Sequence, residues 1–451
     1  MKSKELQSTP YGFIDASRTI RKLFEVCVPK DGIQTGPFGS QLHSSDYVAD
    51  GTPIITVEHL GENIIEGKKP PLVSAEDVKR LIKYTLKEGD IVFSRVGSVD
   101  RRALVSKAQN GWMFSGRLLR VRPEPLLADP RYLSYFFGLP MFKTYIRSIA
   151  VGATMPSLNT GLLSEIPIIL PSISEQRAIS NVLSALDEKI RINSALSKTL
   201  EDIAQTIFKS WFIDFDPAKA KMAGAKPAGM DSATASLFPD SMEESELGIK
   251  PKEWKILEIT ELGKVVTGKT PSTTVAEYWG EDIPFVTIPD MHGTIVNTVT
   301  KRRLTVAGAE SQKNQMLSRG SAMVSCIATP GLVVYATGSC QTNQQINSVI
   351  PKNLEISSWL YWHIRSLTSS VLLHSGVGTI FANLNKGDFG RIKSVVPPET
   401  LQLSSSQIFE PLLSQIESLS RENLILADIR DNLLPRLISG ELQIPEEMLA
   451  S

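Results

Sequence analysis

A chain of 451 residues with 42% hydrophobic side chains can bury real cores and suggests two to four domains. Lys plus Arg and Asp plus Glu both number 48, which argues against a protein held on nucleic acid by bulk charge alone, while leaving room for local basic loops. Cys27, Cys326 and Cys340 are too few and too scattered for a disulfide framework, there is no CxxC, and no 18 apolar residues run together. The first residues, MKSKELQSTPYGFIDASRTIRKLF, hold no apolar core of signal-peptide length, so a reducing, cytoplasmic setting away from membranes is expected.

In chain order, residues 1–24 read as an N-terminal arm and 25–172 as a globular α+β stretch. In the latter, PIITV, DIVFSRV and LLRVR show β-branched alternation, and DPRYLSYFFGLPMFKTYIRSI predicts a helical hairpin or a broken helix. Residues 173–215 predict one long helix. Steps of four and three from Ile179 reach Leu183, Leu186, Ile190, Asn193, Ser197, Leu200, Ala204, Ile207 and Trp211, a heptad seam without Pro or Gly. At about 1.5 Å per residue this rod would span about 60 Å, too far for one small domain to wrap, so it needs a partner helix.

Residues 216–250, rich in Ala, Gly, Pro and acid, read as a linker. Residues 251–398 form a second globular stretch with PFVTI, SAMVSCI, GLVVYA and the helical SSWLYWHIRSLTSSVLL. Residues 399–445 predict the partner helix, whose end is marked by Pro435 and Gly440. Its seam is Phe409, Leu412, Ile416, Leu419, Asn423, Leu426, Arg430, Leu433 and Leu437.

These elements are two copies of one unit. VGATMPSLNTGLLSEIPIILP from Val151 lies without a gap over VGTIFANLNKGDFGRIKSVVP from Val377, and the same displacement carries Leu200, Asp202 and Ile203 onto Leu426, Asp428 and Ile429. Further upstream, with small indels, Pro53–Val57 matches Pro284–Ile288, and Thr35, Gly36 and Ser40 match Thr267, Gly268 and Ser272. An antiparallel pairing that sets Asn193 and Ser197 against Asn423 places Ile179 near Leu437 and Trp211 near Gln407, so the polar dips meet and both ends stay in register. The expected fold is therefore α+β: two similar domains separated by a pair of long antiparallel helices, with pseudo-twofold internal repetition.

The sequence holds no coherent catalytic set. Gly263 to Thr270, GKVVTGKT, fits GxxxxGK[ST], but Pro271-Ser-Thr-Thr follows in place of the helix whose N–H groups would hold phosphate, and Thr35-Gly-Pro-Phe-Gly39-Ser40 lacks the lysine. The five histidines, His43, His59, His292, His363 and His374, show no metal-ligand spacing, and Asp388-Phe-Gly390 stands without the rest of a kinase set. Asp214 and Asp216 read as a helix-end cap. No catalytic residue and no metal site is predicted.

What the halves share is polar loops: GIQTGPFGSQL, SRVGSVDRR and ATMPSLN in the first, VTGKTPSTT, ATGSCQTNQQIN and TIFANLNK in the second. Arg, Lys, Gln, Asn, Ser and Thr are the side chains that hold phosphates and read base edges, and glycines let backbone approach closely. The candidate contacts are Gln34, Thr35, Gly36, Ser40, Gln41, Arg95, Arg101 and Arg102, then Thr267, Lys269, Thr270, Asn343, Gln344 and Gln345. The plainer alternative is ordinary polar turns.

Across nearly the whole chain the sequence resembles the specificity subunits of type I restriction-modification enzymes. The resemblance rests on GPFGSQLHSSDY, GDIVFSR, EQRAI, LDEKI and IFKSWFIDFDP in the first half, and on GKTPSTTVAEYWG, IPFVTIPDM, CQTNQQIN and RDNLLPRLISGEL in the second; Lys252-Glu253-Trp254 has no counterpart in the first. It implies two target-recognition domains, each reading one half of a split, asymmetric site in double-stranded DNA, with the coiled coil setting the gap. It also implies two modification subunits that dock on the helices, bind S-adenosylmethionine and methylate adenine, and restriction subunits that use ATP and magnesium; this chain would bind no cofactor itself. A protein-interaction scaffold built on the same coiled coil, without DNA contact, is the competing class.

Overall fold

The computed structural model describes residues 5–39, 41–374 and 384–449. The chain folds as two compact units, residues 1–190 with 425–451 and residues 191–424. The two long helices, Ile173–Phe212 and Glu399–Ser439, each give one stretch to each unit.

The units share one plan. In the first, a four-stranded antiparallel sheet runs in the order Ile33–Thr35, Leu118–Val121, Ile91–Ser94, Arg102–Leu104. In the second, Gly263–Thr267, Ile346–Pro351, Ala322–Ser325 and Val333–Tyr335 repeat it in the same register: Leu118 faces Ser94 as Ile346 faces Ser325, and Leu119 faces Thr35 as Asn347 faces Thr267. Beside each sheet, the strand holding PIITV or PFVTI pairs parallel with the short strand Met113–Phe114 or Gln341–Thr342. The broken helix of the first unit is Pro130–Phe136 followed by Pro140–Ile149. Phe136 meets Tyr11, Phe137 and Phe142 edge-on, Phe142 also meets Tyr11 at a tilt, and the equivalent helix of the second unit, Ser357–His374, buries Trp359 and Trp362.

Two expected boundaries change. Of the expected arm 1–24, residues 5–24 are part of the first unit: the hairpin Leu6–Thr9 with Gly12–Asp15 leads to strand Thr19–Lys22, which pairs with Pro167–Leu170. The second unit has the same device, Met242–Ser245 with Gly248–Pro251 and then Lys255–Glu258 on Lys393–Val396. Residues 216–250 are accordingly ordered, with helices Asp216–Met222 and Ser232–Ser236, and Phe238 enters the core 5.6 Å from the Trp211 ring. Polar composition hid the few apolar anchors that order this segment.

Within the first unit the helices run antiparallel, with Ile179 and Leu183 buried alongside Leu434, Leu437 and Ile438, and Arg430 pairs Asp187 at 2.7 Å. Within the second, Asn193 is 1% exposed and donates to Glu422 at 2.9 Å, Asn423 donates to Ser194 at 3.2 Å, and Phe208 meets Phe409. Ile416 and Leu419 are buried there; Leu200 and Ile207, and in the first unit Leu186, Ile190, Leu426 and Leu433, are half-buried, as expected where only two helices share a seam. The helix passes through Pro435, which removes one N–H donor near its end, and stops before Gly440, whose φ of 80° serves a C-terminal turn.

A buried charge network stiffens the first sheet. Strand alternation sends Leu119 and Val121 to one face and Arg120 to the other, where its guanidinium, fully buried, donates to the Asp31 carboxylate at 2.5 Å and to the Asp31 carbonyl at 2.6 Å. Arg122 forks onto Asp90 at 2.7 and 2.8 Å and also reaches Asp31. Burial acts to raise the Asp31 carboxyl, but the hydrogen bond and charge of Arg120, then Arg122, hold it below its ordinary value. A depressed carboxyl contributes stability above its unfolded-state pKa and loses it as pH falls through the folded-state value. Asp90→Ala, which takes the bidentate partner from the buried Arg122 guanidinium and leaves it Asp31, is expected to lower unfolding free energy by about 1–3 kcal/mol in urea titrations at neutral pH. Asp31→Asn should flatten the acid limb of the stability profile relative to the parent chain.

Candidate nucleic-acid interface

Each unit carries a ridge made of two loops pressed together by a glycine. In the second unit, strand Gly263–Thr267 ends at Gly268, whose N–H donates to the Ile346 carbonyl at 3.0 Å, and Lys269 N–H donates to Thr342 at 2.9 Å. A Cβ on Gly268 would lie 2.1 Å from the Asn343 carbonyl oxygen, so only glycine permits this approach. The contact unites all six residues singled out in this half. Thr267 Oγ1 donates to Asn347 Oδ1 at 2.6 Å and Thr270 Oγ1 to Gln344 Oε1 at 2.7 Å; Asn343 and Gln345 hold each other across a turn, Nδ2 to Oε1 at 3.1 Å. Lys269 and Gln344 are exposed on the ridge, and the Lys269 ammonium has no side-chain partner among the described residues.

The first unit repeats the construction. Gly36 N–H donates to the Leu118 carbonyl at 3.2 Å, and a Cβ there would lie 2.1 Å from the Ser115 carbonyl oxygen. Gln34 and Thr35 end the edge strand half-buried, and the Gln34 amide donates to the Thr35 carbonyl at 3.0 Å. Gln41 turns inward: its Oε1 accepts from Phe38 N–H at 3.2 Å and from Tyr84 OH at 2.9 Å, and thus fixes the loop. Arg95 lies along the ridge, donating to the Gly116 carbonyl at 3.0 Å. Ser40 falls outside the described residues, as does the part of TIFANLNK from 379 to 383.

Two arginines expected beside these loops are engaged elsewhere. Arg102 is 3% exposed, donates from Nε to the Ser134 carbonyl at 2.7 Å and pairs with Glu62 at 2.6 Å, where Lys143 joins at 3.0 Å. It holds strand Arg102–Leu104 against the helix Pro130–Phe136, and burial lowers its pKa against the opposing pull of Glu62. Arg101 is exposed, but its guanidinium donates to the Leu60 carbonyl. The alternation in SVDRRALV carried the signal: of two adjacent residues in a strand, one must face inward.

Arg117 is the residue missed. Strands Met113–Phe114 and Leu118–Val121 correspond to Gln341–Thr342 and Ile346–Pro351, so Ser115, Gly116 and Arg117 stand where Asn343, Gln344 and Gln345 stand in the other unit. Arg117 is exposed and without a side-chain partner among the described residues. Carrying the internal repeat through LLRVR onto INSVI would have found it.

The remaining motifs stay chemically quiet. No helix begins at Pro271, the turn that GKVVTGKT would need to hold phosphate. His363 is buried, stacked on Trp359 and bonded to Ser394 Oγ at 2.8 Å, and burial lowers its pKa to about 3; a ring so held stays neutral and structural. Among the described residues no group of His, Cys, Asp and Glu could hold a metal ion, and no helix is long and apolar enough to cross a membrane. The second unit also holds a cavity of about 600 Å³, whose lining, including Lys198, Glu201 and Arg365, shares no residue with the ridge.

A duplicated α+β unit that sets Arg, Lys, Gln, Asn and Thr on a glycine-closed ridge defines a two-domain protein with one such ridge in each unit. Comparison with known proteins gives the family. The type I restriction modification DNA specificity domain matches residues 38–202 and 251–426, and the chain belongs to that family. It is 31% identical over 417 residues to the HindI type I restriction enzyme specificity subunit of Haemophilus influenzae, covering 82% of this chain and 90% of the relative. It is 24% identical over 330 residues to the MjaIX specificity subunit of Methanocaldococcus jannaschii, covering 70% and 69%. The fold is that of the type I restriction-modification S subunit from M. genitalium, with TM-score 0.55 and 16% identity over 94% of this chain and 96% of the other.

The ridges make their own prediction. Gly36→Ala and Gly268→Ala should each cost about 1–3 kcal/mol of unfolding free energy, because an added methyl must push backbone rather than a flexible side chain. Gly338→Ala, which meets nothing within 4 Å, should change stability by no more than about 0.5 kcal/mol in the same denaturation experiment.

Proposed function

We propose that this chain is a non-catalytic, DNA-sequence-reading subunit of a type I restriction-modification enzyme, in which each unit reads one half of a bipartite, asymmetric site in double-stranded DNA. The observation that carries this reading is the pair of ridges: the same sheet corner, closed by the same glycine approach, presents Arg95 and Arg117 in one unit and Lys269, Asn343, Gln344 and Gln345 in the other. Equal architecture with unequal side chains suits two different base sequences. Zero net charge is compatible with it, since cations need only be local and partner subunits can supply further phosphate contacts.

The two modification subunits would dock along the long helices, where Ile192, Leu196 and Ile203 of the first and Ile425 and Ile429 of the second are exposed, and would bring S-adenosylmethionine. Restriction subunits would bring ATP and magnesium chemistry. This chain's own contribution is to select the site and position the methyl-transferring partner on it.

The test is to assemble the chain with its modification subunits and sequence the methylated adenines. A bipartite, asymmetric motif is expected, with binding that weakens steeply as salt rises; the absence of any such motif, or salt-independent binding, overturns the proposal. Arg117→Ala should relax the motif in one half only and Lys269→Ala in the other half only, each with about 1–3 kcal/mol of lost discrimination if the side chain contacts a base edge. A phosphate contact would instead weaken all sites equally and make the salt slope shallower.

A further inference from the structure

The ridge of the first unit carries one side chain that neither base-edge hydrogen bonding nor phosphate binding explains. Phe38 is 52% exposed at the tip of Gly36-Pro37-Phe38-Gly39. Single exposed apolar residues are ordinary. This one is held out by its surroundings. Its N–H donates to Gln41 Oε1 at 3.2 Å, and its carbonyl accepts from Gln41 N–H at 2.8 Å and Leu42 N–H at 3.2 Å. Gln41 is itself fixed by Tyr84 OH at 2.9 Å and by Arg80, which donates to its carbonyl at 3.0 Å. Pro37 and Leu42 are buried on either side, and a Cβ on Gly116 would lie 2.2 Å from the Pro37 carbonyl oxygen. With Pro37 and Leu42 buried and the Phe38 backbone bonded, the loop is anchored on both sides of the ring and holds it outward.

The surroundings of the ring are cationic. The Arg95 guanidinium lies 5.7 Å from its centroid and Arg117 is exposed on the neighbouring loop. A flat aromatic surface beside Arg95, on a ridge whose neighbouring loop carries the exposed Arg117, has the chemistry of a base-stacking wedge, since apolar side chains inserted between base steps unstack them and kink the duplex. The second unit supplies an internal contrast. After the matched Thr267-Gly268 come Lys269 and Thr270, and Thr270 is bonded to Gln344; that ridge has no ring at the equivalent place.

We propose that Phe38 enters the base stack of the half-site read by the first unit and parts one base step, while Arg95 and Arg117 pair with the DNA beside it. This rests on the DNA-reading function proposed above and adds a mode of reading in which the ease of unstacking a step, as well as its base edges, contributes to selectivity.

The experiment uses the full chain assembled with its modification subunits and duplexes of the methylated motif, in which each position in turn carries a fluorescent adenine analogue that brightens on unstacking. The parent complex should brighten one step in the first unit's half-site, separate from the methylated adenine. Phe38→Ala should abolish that signal and weaken binding about 10- to 100-fold, the range measured for losing one stacked base. Phe38→Trp should restore both, with unchanged thermal unfolding in each variant. Unaltered brightening and affinity in Phe38→Ala would overturn the wedge while leaving DNA reading intact. Loss of affinity accompanied by loss of the modification subunits from the complex would overturn it too, assigning Phe38 to a protein contact. A parent complex that binds no duplex would remove the DNA-reading function, and the wedge with it.

Discussion

The structure depends on the pairing of two helices that cannot fully bury their own seam. Two α-helices in contact leave the middle of each heptad stripe half open to water, so apolar contact alone would tolerate a slip along the axis. Polar pairs remove that freedom. Asn193, buried and bonded to Glu422, and Asn423 with Ser194 fix the register within the second unit, and Arg430 with Asp187 fixes it within the first. The Asp187 carboxylate also accepts from Tyr135 OH at 2.5 Å, tying this register to the globular part of its unit. A slip of one turn would orphan each of these groups at a cost of about 1–3 kcal/mol apiece.

With the helices set, each globular part completes itself around one end of the seam. Ile179 and Leu183 join the aromatic core of the first unit; Ala204, Phe208 and Trp211 join that of the second. The four-stranded sheet then stands on this core and carries the ridge at its edge strand. Gly36 and Gly268 do for the ridge what Asn193 does for the seam. Each permits a single close arrangement, backbone against backbone, and so presents its neighbours in one geometry. Preorganised donors and acceptors need less ordering on binding, which favours discrimination between partners of similar charge.

The same accounting separates structural from available charge. Arg102, Arg120 and Arg122 are buried and paired, whereas Arg117 and Lys269 are exposed with no side-chain partner among the described residues. A count of basic residues cannot make that distinction. Zero net charge therefore says little about whether a unit can hold a polyanion.

The duplication, the α+β class, the antiparallel pairing and most of the loops that form the ridges were legible in the residues, because heptad spacing and strand alternation are local periodicities and a repeat is self-evident once aligned. The family resemblance rested on those same segments. Other features were decided only in three dimensions. Residues 5–24 and 216–250 belong to the units rather than to an arm and a linker, since the few apolar side chains that order them find their partners outside their own segments, Tyr11 on Phe136 and Phe238 on Trp211. Arg102, expected among the loops, turned inward because sidedness in a strand depends on which face meets the core, while Arg117, not singled out, stands exposed on the ridge. By itself the sequence determined the period of each element and the kinds of side chain in each loop. Tertiary structure alone decided which of them converge, because convergence is set by long-range packing, here the approach of Gly36 to Ser115 and of Gly268 to Asn343, residues far apart in the chain that no local periodicity links.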